Sequence, residues 1–192
     1  MKEKLVQLQA LPQREIDSML ASFQKGQYEI ARDIALSITK KFPDHILSWK
    51  VLGAVFGLAG QMEEALSANQ NAVRLDPQDA EPHNNMGNVL KGLGRLEEAE
   101  ASYRQAIELK PGYIEAHYNL GKMLDALNRL EEAEASYRQA ISISKDHHRA
   151  VVSLGNVLMK KGEHKEGLNN LRLAEGSIFF NIKNGFSVKR EI

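Results

Sequence analysis

The six histidines have side chains of a type that could bind a metal or move a proton, and spacing separates five of them. His83 and His117 lie 34 residues apart, at a site that Trp49 and Val151 occupy at the same interval. A position that takes tryptophan, histidine or valine is a packing position, so both rings read as filler between helices. His147 and His148 follow Asp146 at a turn entering a helix. Such a trio can hold a cation, but aspartate there is better placed to start the helix by accepting backbone N–H bonds. His164 reads as a surface or packing residue. The expectation is no metal and no cofactor.

Paired carboxylates could serve as a general acid and base. Glu63-Glu64, Glu97-Glu98 and Glu131-Glu132 instead recur at one fixed interval, each pair at a helix start. Negative charge is favourable there because it faces the positive end of the helix dipole. Without cysteine there is no thiolate nucleophile, zinc–thiolate site or iron–sulfur cluster. No nucleophile elbow or phosphate loop occurs, and Gly92-Leu93-Gly94 lacks the third glycine and preceding strand of a dinucleotide fingerprint. Catalytic residues are therefore not expected.

The 192 residues carry 25 basic and 25 acidic side chains. A formal charge of zero argues against a nucleic-acid binder, which needs a basic balance to neutralise phosphates. No apolar run approaches the roughly 20 residues that cross a bilayer. The charged, glutamine-rich opening is unlike a signal peptide, which makes a cytoplasmic chain the expectation.

The elements that carry these residues repeat. Glycines fall at 53, 87, 121 and 155, each 34 residues after the last. Gly26, Gly60, Gly94 and Gly162 form a second series, with Asn128 filling its gap. Ala31, Ala65, Ala99 and Ala133 keep the same step, as do Ala72, Ala106, Ala140 and Ala174. Pro43, Pro77 and Pro111 recur, with Lys145 next, and residues 95–107 return letter for letter at 129–141. Each unit reads as two amphipathic helices with apolar residues at helical spacing, such as Met86, Leu90 and Leu93, then Leu96, Tyr103 and Ile107. The Gly/Asn series suits the left-handed residue that ends a helix, and proline suits the position beyond the second helix.

This pattern resembles the tetratricopeptide repeat (TPR) family. Trp49, Leu52, Gly53, Phe56, Ala65, Ala72 and Pro77 carry the likeness in one unit, with Asn69 at the usual aromatic site. Met86, Gly87, Leu90, Ala99, Tyr103, Ala106 and Pro111 carry it in the next, and Leu120, Gly121, Leu124, Ala133, Tyr137 and Ala140 in the third. A fourth keeps Leu154, Gly155, Leu158, Leu171 and Ala174 but has Gly167 where alanine is usual. A degenerate unit precedes them, with Met19 at the glycine site and Pro12 suited to a first helical turn. The implied fold is all-α: a right-handed α-solenoid of about five helix-turn-helix repeats over residues 12–176. Its units run about 12–45, 46–79, 80–113, 114–147 and 148–176, after a lead at 1–11.

In such a stack the first helix of each unit lines a concave face. The candidate peptide-binding residues on it are Lys50, Asn84, Asn85, Asn88, Lys91, Tyr118, Asn119, Lys122, Arg149 and Asn156. An asparagine amide offers a donor pair and an acceptor, which match the donor and acceptor of an extended peptide backbone. Asn85 and Asn119 resemble the asparagine ladder of the O-GlcNAc transferase repeats, which implies a grip on peptide main chain. Asn88, Asn119 and Arg149 resemble part of a chaperone-binding carboxylate clamp, although Asn84 stands where that clamp needs lysine. The alternative is solvated polar filler copied by duplication. Mixed charge on this face allows a mild preference for acidic peptides.

Residues 177–192 leave the period. The β-rich runs 177–182 and 186–188 flank Lys183-Asn184-Gly185, which reads as a hairpin. Phe179, Phe180 and Phe186 need cover, by the last helix pair, by a second chain in a homodimer, or by a further domain. The functional expectation is a non-catalytic scaffold that binds a protein or extended peptide, and neither nucleic acid nor membrane. A competing expectation is a recruiting arm of a larger enzyme, a transferase or oxygenase with its catalytic domain beyond Ile192, since bacterial arrays of this type often sit upstream of one. A third is a scaffold that stacks end to end.

Overall fold

The computed structural model describes residues 13–175, 178–181 and 185–188. Ten helices follow one another among them. These are α1 (Gln13–Gln24), α2 (Tyr28–Lys41), α3 (Ile46–Leu58), α4 (Met62–Leu75), α5 (Ala80–Gly92), α6 (Leu96–Leu109), α7 (Ile114–Ala126), α8 (Leu130–Ile143), α9 (His148–Lys160) and α10 (His164–Glu175). Two short strands complete the described chain, β1 (Ile178–Asn181) and β2 (Gly185–Val188). The helical repeat array implied by the period is what forms.

Helix ends follow the sequence rule. Gly26, Gly60, Gly94 and Gly162 have φ of 73°, 74°, 74° and 84°, and Asn128 has φ 57°. A left-handed residue sets its Cβ against the following carbonyl, which glycine avoids and asparagine tolerates. The reversal at Gly60 lets the Gln61 N–H donate back to the Phe56 carbonyl at 2.9 Å, and Arg129 donates to Leu124 in the same way at 2.9 Å. These bonds satisfy carbonyls that the helix end would otherwise orphan.

The chain divides into two compact units, Met1–Leu93 and Gly94–Ile192. In the first, α1–α5 pack as sequential neighbours, and α3 also meets α5. Ile16, Met19, Ala31, Ala35, Ile38, Val51, Leu52, Val55 and Ala68 form its buried core. In the second, α6 to α10 pack likewise, and α7 meets α9.

Small residues set how closely the helices of a pair approach. A Cβ at Gly121 would lie 2.7 Å from Cε1 of Tyr137, and one at Gly155 would lie 2.8 Å from Cγ of Leu171. Gly53 has Asn69 in the same place, with Oδ1 2.5 Å from where a Cβ would be. Asn69 is fully buried, its Nδ2 donates to the Ala65 carbonyl at 2.8 Å, and its Oδ1 has no hydrogen-bond partner.

The tail forms an antiparallel pair, with Ile178 opposite Val188 and Phe180 opposite Phe186. The lead at 1–11, Pro12, the Lys183-Asn184 turn, the side chain of Ala174 and the cover of the tail phenylalanines lie outside the described residues.

Candidate functional site

Within the first unit, α3 and α5 lie side by side and enclose a hollow of about 390 Å³. Its floor is apolar, from Ala54, Gly57, Leu58, Met62 and Val89, and the amides of Asn85 and Asn88 stand at its edge. The hollow exists because α3 is small here. Gly57 occupies the site that Lys91, Asp125 and Met159 fill in later repeats. Leu58, 63% exposed, is the most exposed large apolar side chain among the described residues. Gly57, Leu58 and Met62 are not among the sequence candidates, which were chosen for polar contacts; the missing side chain at 57 was the signal.

The structure distributes the sequence candidates unevenly. Asn85 is half-buried and makes no hydrogen bond or ion pair among the described residues. Asn88 is exposed and Lys91 half-buried, and both already interact with other groups of the protein. Asn84 is only 4% exposed, beneath the surface rather than on it. Lys50 is committed internally: its Nζ lies 2.8 Å from Oδ2 of Asp79 and also pairs with Glu81. Burial pulls the Lys50 ammonium down, but the two carboxylates outweigh it and leave it above its ordinary value. Asp79 is likewise opposed by burial yet held below the usual carboxylate range by Lys50 and the Glu81 N–H. The same Asp79 caps α5, accepting from the Glu81 N–H at 3.0 Å.

The second unit places an aromatic cluster on α7. The Tyr118 ring lies 5.9 Å from that of Tyr137 and 5.0 Å from that of His147, with Lys122 Nζ 5.7 Å from its centroid. Asn119 is half-buried and interacts within the protein. Arg149 and Asn156 of α9 are exposed and make no polar contact among the described residues.

The histidines take structural roles with more chemistry than packing alone. Trp49 Nε1 donates to the Pro43 carbonyl at 2.7 Å, and His117 Nε2 reaches the Pro111 carbonyl at 2.9 Å. His83 Nε2 repeats the contact with Pro77 at 3.3 Å. A carbonyl only accepts, so each histidine must carry its proton on Nε2. The expected helix start at Asp146 is corrected: His147 caps α9, its Nδ1 accepting from the Ala150 N–H at 3.0 Å. The imidazole sits one residue nearer the helix than Asp146, at the N-cap position from which a side chain accepts an N–H of the first turn. No group of three metal-ligating side chains occurs among the described residues, and no described helix is long and apolar enough to cross a membrane.

Proteins of known sequence and structure share this architecture. Residues 78–146 match a family model described as tetratricopeptide repeat, and residues 53–94 match a second described as TPR repeat. No curated protein matches the sequence significantly. A crystal structure of MamA is similar with a TM-score of 0.73 and 24% identity, over 84% of this chain and 88% of that one. PilF of Pseudomonas aeruginosa gives 0.77 and 20%, over 89% and 78%. YrrB, described as a TPR protein with an unusual peptide-binding site, gives 0.66 and 19%, over 83% and 82%. At such identities the likeness is one of fold.

Proposed function

The chain belongs to the tetratricopeptide repeat family, and we propose that it is a non-catalytic protein-interaction scaffold holding an extended peptide against the first helices of its repeats. The observation that carries this reading is the hollow between α3 and α5, apolar below and edged by the Asn85 and Asn88 amides. An apolar floor takes a side chain, and the side-chain amide of Asn85, which makes no hydrogen bond among the described residues, takes the main chain beside it. In the second unit, exposed Lys122 and Arg149 favour a peptide with acidic character. The family and fold are generally those of interaction scaffolds, and YrrB's peptide-binding description fits the same use.

Hydrogen exchange with a peptide selected from a random library tests the reading. Protection is expected over residues 53–62 and 84–92. Protection confined to other segments would remove this face as the site.

A further inference from the structure

A second groove of about 420 Å³ lies on a different side of α3, between Leu36 of α2, Trp49, Leu52 and Phe56 of α3, and Glu63 and Glu64 of α4. The repeat supplies its own comparison. Two and three periods on, Arg104 and Arg138 stand at the site of Leu36, and Glu132 and Glu166 at the site of Glu64. In the second unit each arginine spans from one second helix to the next. Arg104 Nη2 donates to Glu132 Oε2 at 3.3 Å, and Arg138 Nη2 to Glu166 Oε1 at 2.8 Å.

The positions that correspond to Trp49 and Phe56 are buried there: His117 and Leu124 in one repeat, Val151 and Leu158 in the other. Their counterparts Trp49 and Phe56 are only partly covered, and Leu36 is 44% exposed. Glu63 and Glu64 make no ion pair or hydrogen bond among the described residues. The first unit thus has the carboxylate and apolar residues at these sites, but leucine where those two repeats have the bridging arginine.

We propose that this groove docks a segment of a partner protein that presents an arginine beside an apolar side chain. The guanidinium takes the place of Arg104 or Arg138, reaching Glu64 and lying against the Trp49 ring. A planar guanidinium suits both contacts, because it pairs with carboxylates and stacks on aromatic faces. The neighbouring apolar side chain covers Leu36 and Phe56. This site is separate from the hollow between α3 and α5 and does not depend on it.

Trp49 is the chain's one tryptophan, so its emission reports on the groove directly. The probe is a capped Leu-Arg-Ala-Leu peptide, with a citrulline analogue that keeps shape but not charge. We expect a saturable blue shift with the arginine peptide, roughly fivefold weaker affinity for the analogue, and a similar loss in Glu64→Gln. Leu36→Arg is expected to close the groove from within and abolish the response while keeping the thermal midpoint. Asn85→Ala is expected to leave the titration unchanged, which separates this proposal from the peptide face. No saturable shift up to millimolar peptide would overturn it, as would an equal response in Leu36→Arg and Glu64→Gln. A shift that appears with protein concentration alone, and that Leu36→Arg removes, would assign the groove to a second copy and overturn the separate partner.

Discussion

Arg129, just before α8, donates through Nη1 and Nη2 to both carboxylate oxygens of Glu100 on α6, at 2.5 and 3.1 Å, across 29 residues of sequence. Glu100 also accepts from Arg104 at 2.7 Å, and Arg129 bonds Glu132 at 2.7 Å. One repeat later Glu134 pairs with Lys161 and Arg138, at 2.6 and 2.8 Å. Two clusters of ion pairs therefore form a ladder that links the second helices of this unit, α6 to α8 and α8 to α10.

The ladder makes stability fall in acid. Arg129 foremost holds the Glu100 carboxyl below the usual carboxylate range, against burial, and Lys161 does the same for Glu134. The stabilisation is complete above the ordinary glutamate value near ~4.3 and disappears as pH falls through the depressed values. Urea unfolding from pH 7 down to strong acid should show that loss, and Glu100→Gln with Glu134→Gln should flatten it. At neutral pH each substitution should cost about 1 kcal/mol. An unchanged pH profile in the double variant would show that the ladder contributes nothing.

Gly57 and Gly60 should respond to alanine with opposite signs. Gly57 lies inside α3 with nothing within 4 Å of where a Cβ would sit, whereas Gly60 has φ 74°. Gly57→Ala should stabilise by about 0.5–1 kcal/mol through helix propensity. Gly60→Ala should destabilise by about 1–2 kcal/mol because its left-handed backbone crowds a Cβ. Thermal denaturation of the two variants checks the pair.

Asn69→Leu should raise stability by about 1 kcal/mol, since it removes the buried, unpartnered Oδ1. Leu171 faces Gly155 in the corresponding place, so leucine fits against a glycine in this fold. A lower denaturation midpoint would mean that the Nδ2 bond to Ala65 outweighs the unpaired oxygen.

Much of this was legible in the sequence, and the reasons are local. A left-handed helix end demands Gly or Asn, so Gly60 and Asn128 announced two of the turns. Helical spacing marked Leu90 and Tyr103 for the interior, and both are buried. The Arg129–Glu100 pair stayed hidden because it depends on how one second helix passes the next, which no single period specifies. His117 read as packing and is buried, yet the bond to a proline carbonyl that its ring N–H shares with that of Trp49 emerged only with the backbone in place. At the candidate face, spacing suggested which side Asn84 and Asn85 share but not depth, and Asn84 is buried where Asn85 is reachable.

Peptide binding in the hollow between α3 and α5, beside the Asn85 amide, is tested most directly by calorimetry. One library-selected peptide is titrated into the wild type, Asn85→Ala and Gly57→Lys. Lysine is the residue that the next repeat carries at the site of Gly57, so the fold accommodates it while the hollow fills. Binding about tenfold weaker is expected in each variant, as for an anchor contact, with the thermal midpoint of Asn85→Ala unchanged. Equal affinity in all three proteins would contradict the assignment of this hollow as the peptide site.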